Sequence, residues 1–464
     1  MEQIVKTEAM DPRLLPPLMA SFNEFPSLER LDRTTGWLAI ISGEVVGSAL
    51  VRENKDLWHI RRLAVFEKHR GKGIGRKIVE AIENDARIQK IPELTTVTSS
   101  NWSSMRGMIQ KKGWLFQKAR KAKRAEGIEE HWFLPLVKEP IKLILVGANP
   151  NGRGGELAEC VEKFSSLAKL VGVCDPSIET RTYWNQKGFQ TAESLTEILD
   201  SGVKANAVMM ALPHFCYEEC REVCMKNGLA MFHEKPLAST LIELQTLISA
   251  LGKNPVPLVV GTQRRDHPTY VYLKELIAKE TISTFSMSIE LGKSATQKNW
   301  RNSKAKSGGG ALLDLGTHAI DLAHFFLGYS VETVSCCLWI EDEAGNIRPT
   351  FEGELETAAQ IIGRCGKTWV KIWVNRIGKK SESIHIKGKS NWEANRHSIS
   401  KDNKIIFSCE EQWDLSLAGR IGRLVTDVTK GISSFEAWDQ FSSLRVIEQA
   451  YSIPPQIGMG RKAP

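Results

Sequence analysis

The chain has 464 residues, of which 25% are charged and 42% hydrophobic, and its formal net charge is +8 at pH 7. This length exceeds one ordinary hydrophobic core and predicts about three domains, and the ordinary composition excludes collagen-like and disordered classes. The modest, interspersed charge requires no nucleic-acid partner, no run reaches the roughly 18 apolar residues of a membrane span, and the opening MEQIVKTEAMDPR lacks a signal-peptide pattern, so we expect a cytoplasmic protein.

The first part of the chain predicts helices, then strands, then a glycine-rich turn. Residues 1–36 have the pattern of helices with a polar surface, and GWLAIISGEVVGSALVRE contains two apolar runs joined by a short turn, which predicts a hairpin. LWHIRRLAVF predicts another strand, and HRGKGIGR (residues 69–76) leads from it into a segment of helical period. A glycine turn at a helix N-terminus presents unpaired N–H groups to an anion, and Arg70, Lys72 and Arg76 add positive charge, so we expect a pyrophosphate site.

This strand, turn and helix resemble the acetyl-CoA site of the GNAT acetyltransferases. The family signature is Arg or Gln, two residues, Gly, one residue, then Gly or Ala, and it is present here as Arg70, Gly73 and Gly75. The resemblance covers about residues 1–137 and implies that main-chain groups of β-strand residues pair with pantetheine while the turn amides hold the pyrophosphate. The residues it assigns to acetyl-CoA are Leu63, Val65, Arg70, Gly71, Lys72, Gly73, Gly75 and Arg76.

One position departs from the GNAT pattern. Many relatives carry a Tyr four residues before a Gly-Phe pair, as the acid that reprotonates the CoA thiolate, whereas this chain has Ile109 before Gly113 and Trp114. Another residue or water would then supply the proton, or the domain is kept for packing or dimerisation.

A basic run follows, and we interpret it as the exposed arm of a hairpin rather than an anion site. Its charges alternate with small residues ahead of the strand-like HWFLPL, and such runs are usually solvated. The residues are Lys118, Arg120, Lys121, Lys123 and Arg124.

After a short boundary at residues 137–140, the sequence predicts a nucleotide-binding domain. IKLILVGANPNGRGG is an apolar strand and a turn with an imperfect dinucleotide fingerprint: Gly147 takes the first glycine position, Asn149 the second and Gly152 the third, and residues 153–155 are interpreted as an insertion. The next strand ends at Asp175, where dinucleotide folds place an acid on the ribose hydroxyls. No Arg follows it directly, which favours NAD over NADP, although Arg181 is near enough in sequence to reach a 2′-phosphate. Alternating strands and helices up to residue 233 predict a doubly wound parallel sheet.

The stretch SGGGALLDLGTHAID (residues 307–321) combines a glycine run with two groups that carry chemistry. The glycines at 308–310 are predicted to let a ligand approach the main chain. Apolar residues then recur at helical spacing, so Asp314 and His318, four apart, are expected on one helix face. A carboxylate can orient an imidazole and stabilise its charged form for proton transfer. Alone, such a pair is more often structural than catalytic.

Three motifs in order resemble the Gfo/Idh/MocA oxidoreductase family. They are Glu234-Lys235-Pro236, GTQRRDHP (residues 261–268) and NWRNSKAKSGGGALLDLGTHAID (residues 299–321). The resemblance covers about residues 141–464 and implies a Rossmann domain followed by an α+β domain. Beyond residue 321 apolar and polar residues alternate in strand-like segments, which agrees with an open, mostly antiparallel sheet. In this family the sheet is the substrate platform and often a dimer face, which implies a homo-oligomer.

The same resemblance implies how the chemistry is divided. Nicotinamide accepts a hydride from a secondary alcohol; Lys235 orients or deprotonates the hydroxyl, His318 relays the proton, and Asp314 fixes His318 and the substrate. Burial of Lys235 would lower its pKa toward neutrality, so Lys235 and His318 are both candidates for the base. The candidate substrate contacts are Arg264, Trp300 and Arg301. The residues implied in binding NAD, or alternatively NADP, are Gly147, Asn149, Gly152, Asp175, Leu212, Pro213, His214, Glu234 and Gln263.

The cysteines indicate neither a disulfide framework nor a metal site. There are nine, an odd number without a CxxC pair, which favours a reducing compartment. Cys216, Cys220 and Cys224 share one helix face, but zinc takes four ligands and no fourth is near, so we predict that they pack as small hydrophobes.

The expected architecture is α/β throughout: a GNAT-like domain (1–137), a Rossmann domain (141–262) and an α+β domain (263–464). It predicts a bifunctional enzyme that oxidises a secondary hydroxyl of a sugar or sugar nucleotide with NAD(P) and N-acetylates an amine, such as an amino sugar, with acetyl-CoA. Two alternatives remain, a dehydrogenase with an inert GNAT domain and an NAD-sensing regulatory or scaffold protein. The joint presence of Lys235, Asp314 and His318 argues against a sensor, which has no use for hydride-transfer groups. The expected partner is a small sugar-like substrate, neither nucleic acid nor membrane.

Overall fold

The computed structural model describes residues 2–22, 33–99, 103–121, 128–136, 139–292, 300–328, 330–342, 344–351, 353–409, 413–432 and 436–453. The chain forms two compact units, one of residues 1–140 with 163–167 and the other of residues 141–162 with 168–464. Each unit has its own set of buried apolar side chains, as expected of separate cores.

The first unit is built on a seven-stranded sheet. Its strands are β1 (Glu2–Glu8), β2 (Thr34–Ile41), β3 (Glu44–Glu53), β4 (Trp58–Val65), β5 (Glu93–Ser99), β6 (Leu115–Lys121) and β7 (Ile128–Pro135), and its helices are α1 (Leu15–Phe22), α2 (Ile74–Ile88) and α3 (Ser103–Lys111). The strand order is β1-β2-β3-β4-β5-β7-β6, with β4 and β5 parallel and the other pairs antiparallel.

The predicted hairpins are confirmed, but the prediction for the N-terminal segment is partly wrong. Ser42 and Gly43 have φ of 52° and 87° between β2 and β3, the positive pair that suits a two-residue hairpin turn. The basic run lies on edge strand β6, paired with β7, and its residues 122–127 lie outside the described residues. Residues Glu2–Glu8, predicted as helix, form β1 at the other edge. An edge strand exposes its polar side chains while its main chain pairs, so its composition resembles that of a surface helix.

Strands β4 and β5 pair over three residues and then separate. Trp58, His59 and Ile60 face residues 94–96 of β5, whereas residues 61–65 of β4 have no partner on β5. The sheet therefore opens between the carboxyl ends of these two strands, and main-chain groups along the opening are available to an extended ligand.

The second unit contains a six-stranded, all-parallel sheet, which confirms the predicted Rossmann architecture. Its elements are β8 (Ile141–Val146), α4 (Arg153–Lys163), β9 (Ala168–Cys174), α5 (Ile178–Gln186), β10 (Thr191–Ala192), α6 (Leu195–Asp200), β11 (Ala207–Met210), α7 (Tyr217–Lys226), β12 (Ala230–His233), α8 (Leu241–Lys253) and β13 (Leu258–Val260). The order is β10-β9-β8-β11-β12-β13, so the chain changes direction across the sheet beside β8. Ligands of such sheets bind outside the carboxyl ends of the strands at this switch point.

The same unit contains a nine-stranded sheet, open and mostly antiparallel as predicted. Its elements are α9 (Pro268–Ile277), β14 (Thr284–Glu290), α10 (Lys304–Ser307), α11 (Thr317–Leu327), β15 (Glu332–Glu341), β16 (Ile347–Pro349), β17 (Ala358–Cys365), β18 (Thr368–Asn375), β19 (Ser381–Lys387), β20 (Asn391–Ala394), β21 (Ser398–Lys401), β22 (Lys404–Ser408), α12 (Trp413–Lys430) and α13 (Glu436–Ser452). The order is β16-β15-β17-β18-β14-β19-β20-β21-β22, and only β14 and β18 pair in parallel.

The two sheets of the second unit are joined by the C-terminal helices. Helix α11 packs on β14 and β18, α12 packs on β12 and β13, and α13 contacts both α8 and β15. The candidate site described below lies where the carboxyl end of β12 meets the N-terminal end of α11. Within the described residues, none of the helices combines the length and the apolar composition needed to cross a membrane.

Candidate active site

Lys235, two residues beyond the end of β12, meets Asp314, which lies just before α11. The Lys235 ammonium donates to the Asp314 main-chain carbonyl at 2.7 Å and to its carboxylate Oδ1 at 2.8 Å. Their side chains are only 12% and 9% exposed. The structure thus brings together two of the three residues predicted to carry catalysis, one from each sheet region.

Asp314 lies in a π-helical turn, Leu312–Gly316, that runs directly into α11. The sequence predicted a regular helix here, and the structure instead has one wider turn. Such turns are rare and occur frequently at functional sites. In this one, both the carbonyl and the side chain of Asp314 are directed at the same ammonium group.

Asp314 is also surrounded by arginines. Its Oδ2 lies 3.4 Å from the Arg376 guanidinium and 3.6 Å from that of Arg301. Burial alone would raise the pKa of the Asp314 carboxyl, but Lys235, Arg376 and Arg301 hold it well below its usual range. Burial lowers the pKa of Lys235, and the Asp314 charge opposes that change.

His318 is buried in the first turn of α11, with 7% of its surface exposed. In the described part of the chain the Asp314 carboxylate bonds to Lys235 rather than to His318. Burial, together with the charges of Arg264 and Lys235, holds the pKa of His318 well below its usual value. The structure therefore favours a neutral imidazole, not the carboxylate-stabilised imidazolium that the sequence suggested.

The three glycines before the π-turn accommodate protein neighbours. A side chain at Gly308, where φ is +74°, would come 2.5 Å from the Ser239 Cβ, and one at Gly309 would come 2.6 Å from the Tyr451 hydroxyl. A Cβ at Gly310 would overlap the Glu356 carbonyl oxygen. The run was predicted to admit a ligand to the main chain; here each glycine is required by a separate segment of the protein.

His214 and Trp300 lie beside the Lys235–Asp314 pair. The His214 Nδ1 is 2.6 Å from the Ser307 carbonyl oxygen, and its ring makes an edge contact with Trp300 at 4.8 Å between centroids. Burial lowers the pKa of His214 to about 4. A neutral ring that donates from Nδ1 leaves Nε2 as a hydrogen-bond acceptor.

The turn after β8 has the close packing of a dinucleotide site, with a different glycine in one role. Gly147 has φ of +80°, and a Cβ there would be 2.5 Å from the Ala211 carbonyl oxygen and 3.2 Å from the Leu212 side chain. Residues 153–155, interpreted above as an insertion, are the first turn of α4. Gly154 packs against the Gly147 carbonyl so closely that no side chain fits, whereas Gly152 has room. The close packing typical of the third glycine of the fingerprint is therefore found at Gly154 and not at Gly152.

Asp175 directly follows β9 and is tied to that turn. Its Oδ2 accepts a 2.8 Å bond from the Ala148 N–H, and its Oδ1 accepts from the Ser177 N–H at 2.9 Å. The Arg181 guanidinium donates to the carbonyls of Asp175 and Pro176, each at 2.8 Å. The acidic residue and the arginine that were predicted to bear on NAD or NADP preference are thus neighbours.

Two other predicted contacts form ion pairs within the protein. Glu234 accepts from the Arg153 Nε at 2.8 Å. Arg264, predicted to contact substrate, pairs with buried Glu382 at 2.9 Å, and Glu382 also accepts from the Tyr270 hydroxyl at 2.6 Å. Gln263, next to Arg264, is 3% exposed, and Pro213 precedes the short helical turn that bears His214.

Arg376 and Glu356 belong to the site but were not identified from the sequence. Arg376 follows β18 by one residue, and Glu356 precedes β17. The available signal was a strand-like run that is followed by the polar Asn375 and Arg376, because polar residues at the ends of strands often reach a site. Neither residue belongs to a motif, and only the sheet register brings them to Asp314.

The first unit contains a cavity of about 630 Å³ at the opening between β4 and β5. The lining residues are Ser21, Ile60, Arg61, Arg62, Leu63, Ala64, Val65, His69, Arg70, Gly71, Gly73, Ile74, Gly75, Arg76, Thr96, Val97, Met105 and Met108. They include all the residues assigned above to acetyl-CoA except Lys72. Arg61, Arg62 and His69 were not predicted.

The glycine turn at this cavity has the conformation that an anion site requires. Gly71 and Gly73 have φ of +76° and +79°, and Gly73 begins α2 without a side-chain cap. The helix N-terminus therefore points unpaired N–H groups at the cavity. The Arg70 Nε donates to the Val65 carbonyl at 3.1 Å, so the protein itself uses one of the main-chain groups assigned to pantetheine. Ile109 is fully buried.

Family models match three segments of the chain. Residues 4–113 match the acetyltransferase (GNAT) family, residues 141–262 match the oxidoreductase family with an NAD-binding Rossmann fold, and residues 270–391 match the GFO/IDH/MocA C-terminal domain.

The curated relatives match part of the chain at low identity. Oxidoreductase P35 of Formosa agariphila is 28% identical over 212 residues, 44% of this chain and 63% of the relative. The rhizopine catabolism protein MocA of Rhizobium meliloti is 27% identical over 192 residues, 40% and 57% of the two chains. The scyllo-inositol 2-dehydrogenase (NADP(+)) IolW of Bacillus subtilis is 29% identical over 190 residues, 39% and 51%. The chain thus spans between half and two thirds of the length of these relatives.

Solved structures share a fold with about two thirds of the chain. GenD2 from gentamicin A biosynthesis, in complex with NAD, has a TM-score of 0.56 at 22% identity, covering 68% of this chain and 93% of its own. KijD10, a 3-ketoreductase from Actinomadura kijaniata in complex with TDP-benzene and NADP, has a TM-score of 0.56 at 16% identity, covering 68% and 98%. The chain is therefore a fusion of an N-terminal domain of the GNAT acetyltransferase family with the Rossmann and C-terminal domains of the Gfo/Idh/MocA oxidoreductase family.

Proposed function

We propose that the second unit interconverts a secondary hydroxyl and a ketone on a sugar or sugar nucleotide with NAD(P), and that the first unit transfers an acetyl group from acetyl-CoA to an amine. The observation that carries the first activity is the buried Lys235–Asp314 pair at the carboxyl edge of the parallel sheet. Relatives named as a scyllo-inositol dehydrogenase and a levoglucosan dehydrogenase, and a neighbour named as a 3-ketoreductase, support a polyol or sugar as the substrate class.

The residues around β8 fit a dinucleotide. Gly147 and Gly154 allow the close approach of the turn and α4 that a dinucleotide fold needs, and the N-terminus of α4, where a pyrophosphate would bind, lies at this turn. Asp175 would hold the ribose hydroxyls, and NAD is preferred over NADP because this carboxylate would repel a 2′-phosphate. When bound, the nicotinamide supplies the hydride acceptor.

The protein's own groups then manage the hydroxyl and its proton. Lys235, whose charged form the Asp314 carboxylate stabilises at 2.8 Å, donates a hydrogen bond to the substrate oxygen and stabilises negative charge as it develops. His318, held neutral by burial and neighbouring cations, accepts the proton. We therefore assign His318 as the base, because its neutral ring can accept a proton, and Lys235 as the orienting group, because Asp314 stabilises its charged form.

For the first unit, the support is the cavity between β4 and β5 and the uncapped turn at α2. The buried Ile109 offers no proton to a CoA thiolate, so we assign that step to solvent.

The two activities fit one sequence of reactions in which a hydroxyl is oxidised, a separate enzyme aminates the ketone, and the new amine is acetylated. We further propose that the protein acts in the cytoplasm and assembles through the nine-stranded sheet.

Lys235→Met tests the dehydrogenase proposal. We expect kcat for NAD reduction, screened over sugars, sugar nucleotides and inositols, to fall by about 10² to 10⁴, because an orienting and polarising group is lost. Lys253→Met, at an exposed lysine at the end of α8, is the matched control and is expected to keep full activity. Equal activity of the two variants, or no NAD reduction by the wild type with any alcohol, contradicts the proposal.

Acetyl-CoA titration by calorimetry tests the first unit. Binding followed by acetyl transfer to an amino sugar supports a bifunctional enzyme. Binding without transfer to any amine, or no binding, favours a dehydrogenase whose first unit is catalytically inert. The absence of an acid at position 109 supports this alternative.

A further inference from the structure

Glu356, two residues before β17, binds the start of the π-turn through three hydrogen bonds. Its main-chain carbonyl oxygen accepts from the Ala311 N–H at 3.0 Å, and its Oε1 accepts from the Leu312 N–H at 2.9 Å. The same Oε1 accepts from the Tyr451 hydroxyl at 2.8 Å. The first N–H groups of a helical segment have no partner within that segment, so Glu356 satisfies two of them from outside the helix.

Tyr451 brings the last turn of α13 to the same place. Helix α13 packs on both the π-turn and α11. The Tyr451 hydroxyl lies close to the glycine run, since a Cβ at Gly309 would come 2.6 Å from it. The residue as a whole is 37% exposed, whereas Glu356 is 3% exposed. Because much of the tyrosine is in water, its hydroxyl, which meets the buried carboxylate, is the part that acts on the π-turn.

Arg376 holds the same segment from the end of β18. Its guanidinium donates to the Gly310 carbonyl at 3.2 Å and lies 3.4 Å from the Asp314 Oδ2. The carbonyl of residue 310 and the N–H groups of residues 311 and 312 are therefore bound by groups from two loops of the sheet region. None of these groups belongs to the helix that they hold.

The start of the π-turn sets the direction of Asp314. In a regular α-helix a carbonyl points along the axis to the N–H four residues later. Here the Asp314 carbonyl and its Oδ1 instead both accept from the Lys235 ammonium, at 2.7 and 2.8 Å. Tightening of the turn would move Asp314 relative to Lys235. Glu356 and Arg376 oppose that movement because they bind the main chain on both sides of Ala311.

We infer that Glu356 and Tyr451 are positioning residues for hydride transfer: their hydrogen bonds hold the π-turn so that Asp314 keeps both of its acceptors on the Lys235 ammonium. This inference rests on the proposed dehydrogenase function. It adds to that function two groups that act through Asp314 and Lys235, one of them on the C-terminal helix. A purely stabilising role for the same bonds makes different predictions about kinetics.

Tyr451→Phe in the full-length protein removes one hydrogen bond and keeps the ring. We expect kcat for alcohol oxidation to fall about tenfold while KM for NAD stays within about twofold, because the orientation of Lys235 is disturbed and the turn after β8 is not. Tyr183→Phe, at a tyrosine of α5 that is 38% exposed, is the matched control and should leave both constants unchanged.

The same substitution in a Lys235→Met background separates positioning from stability. If Tyr451 acts through Lys235, Tyr451→Phe should cause no further fall in kcat once the lysine is absent, since effects of groups that act as a unit are not additive. A purely structural defect would multiply the loss.

Glu356 supplies a second set of variants. Glu356→Gln keeps an oxygen that can accept both hydrogen bonds, so kcat should stay within about threefold of the wild type, whereas Glu356→Ala should lose about tenfold or more. Thermal unfolding of each variant checks that it is folded, and Tyr451→Phe alone decides the question if the alanine variant is not.

Acylation of Lys235 by acetic anhydride tests the positioning without turnover. The reagent reacts with the neutral amine, and the Asp314 carboxylate favours the charged form. Tyr451→Phe should therefore increase the labelling rate of Lys235, measured by peptide mass spectrometry, about threefold or more. Exposed Lys253 is the internal reference, and its rate should not change.

Unchanged kcat and unchanged labelling in Tyr451→Phe overturn the inference, as does an equal loss in the presence and absence of Lys235. Failure of the proposed function gives a different result. If the wild type reduces NAD with no alcohol but Lys235 labelling rises in Tyr451→Phe, the positioning stands and the dehydrogenase falls. Turnover by the wild type with neither change in the variant does the reverse.

Discussion

The Asp314 carboxylate has different partners on its two oxygens, Lys235 on Oδ1 and Arg376 on Oδ2. The group proposed to hold the reacting hydroxyl and an arginine from the nine-stranded sheet are therefore positioned by one side chain. Because removal of one partner of a buried ion pair leaves the others uncompensated, changes at Asp314 should disturb the positions of both groups together.

We predict that Asp175 controls the choice of dinucleotide. We expect Asp175→Ser to raise the ratio of kcat/KM for NADP to that for NAD by about tenfold or more, because the repulsive carboxylate is lost while the Arg181 guanidinium lies on the adjacent carbonyls. Steady-state kinetics with the two dinucleotides measures the ratio. Asp200→Ser, at an exposed position ending α6, serves as the control; an unchanged ratio in the Asp175 variant would contradict this role.

His214 should make the second unit less stable in acid. Its pKa is lowered from 6.5 to about 4, so between pH 7 and pH 5 the unfolded chain takes up a proton that the folded protein does not. The stability from this group is therefore complete above pH 6.5 and is lost as the pH falls toward about 4, by roughly 1–2 kcal/mol at pH 5.

Urea unfolding of wild type and His214→Gln at pH 7 and pH 5 measures this contribution. The stability advantage of the wild type over the variant should shrink by that amount at pH 5. His385→Gln, at a side chain that is 51% exposed, controls for the substitution itself. An advantage that is the same at both pH values would show that the ring does not contribute in this way.

Among the elements, the glycine run and the π-turn position the site together. Gly310→Ala should destabilise the second unit by more than about 2 kcal/mol, because the new methyl overlaps the Glu356 main chain and cannot be relieved by a rotamer change. Gly252→Ala, at a helical position in α8 with no atom within 4 Å, should instead stabilise by roughly 0.5–1 kcal/mol. Chemical denaturation measures the free energy of unfolding of both variants. If the two substitutions change it by the same amount, the steric account is refuted.

Several elements could be predicted from the sequence because their signals are local. The hairpin of β2 and β3 and the alternation from β8 to β13 follow from apolar runs and turn residues within a few positions of one another. The convergence of Lys235 and Asp314 followed from motif resemblance, not from spacing.

Other features could not be predicted, for physical reasons. Edge strand β1 was predicted as helix because a half-exposed edge tolerates polar residues on both faces. The glycine run indicated that some group lies close to the main chain at residues 308–310, but not which group. The groups that do so belong to residues distant in the chain. Arg376 could not be predicted as a site residue because only the pairing of β17 with β18 and of β18 with β14 brings it to Asp314.

For the whole molecule, the two compact units predict two separately stabilised transitions. Acetyl-CoA at 100 times its Kd should raise the stability of the first unit by about 2.7 kcal/mol, and NAD should do the same for the second. Differential scanning calorimetry with each ligand alone measures the shifts. A first transition that ignores acetyl-CoA would mean that the GNAT cavity no longer binds it, whatever its shape.

The glycine run has a consequence for how this sequence can vary. Ser239, Tyr451 and Glu356 each close off one glycine, and they come from widely separated parts of the second unit. Random mutagenesis should therefore recover almost no tolerated replacement at positions 308–310, although none of these residues contributes a functional group. The loss of function on substitution would there result from steric overlap and not from loss of a reactive group. A mutational scan would therefore give these three positions the same low tolerance as the catalytic residues.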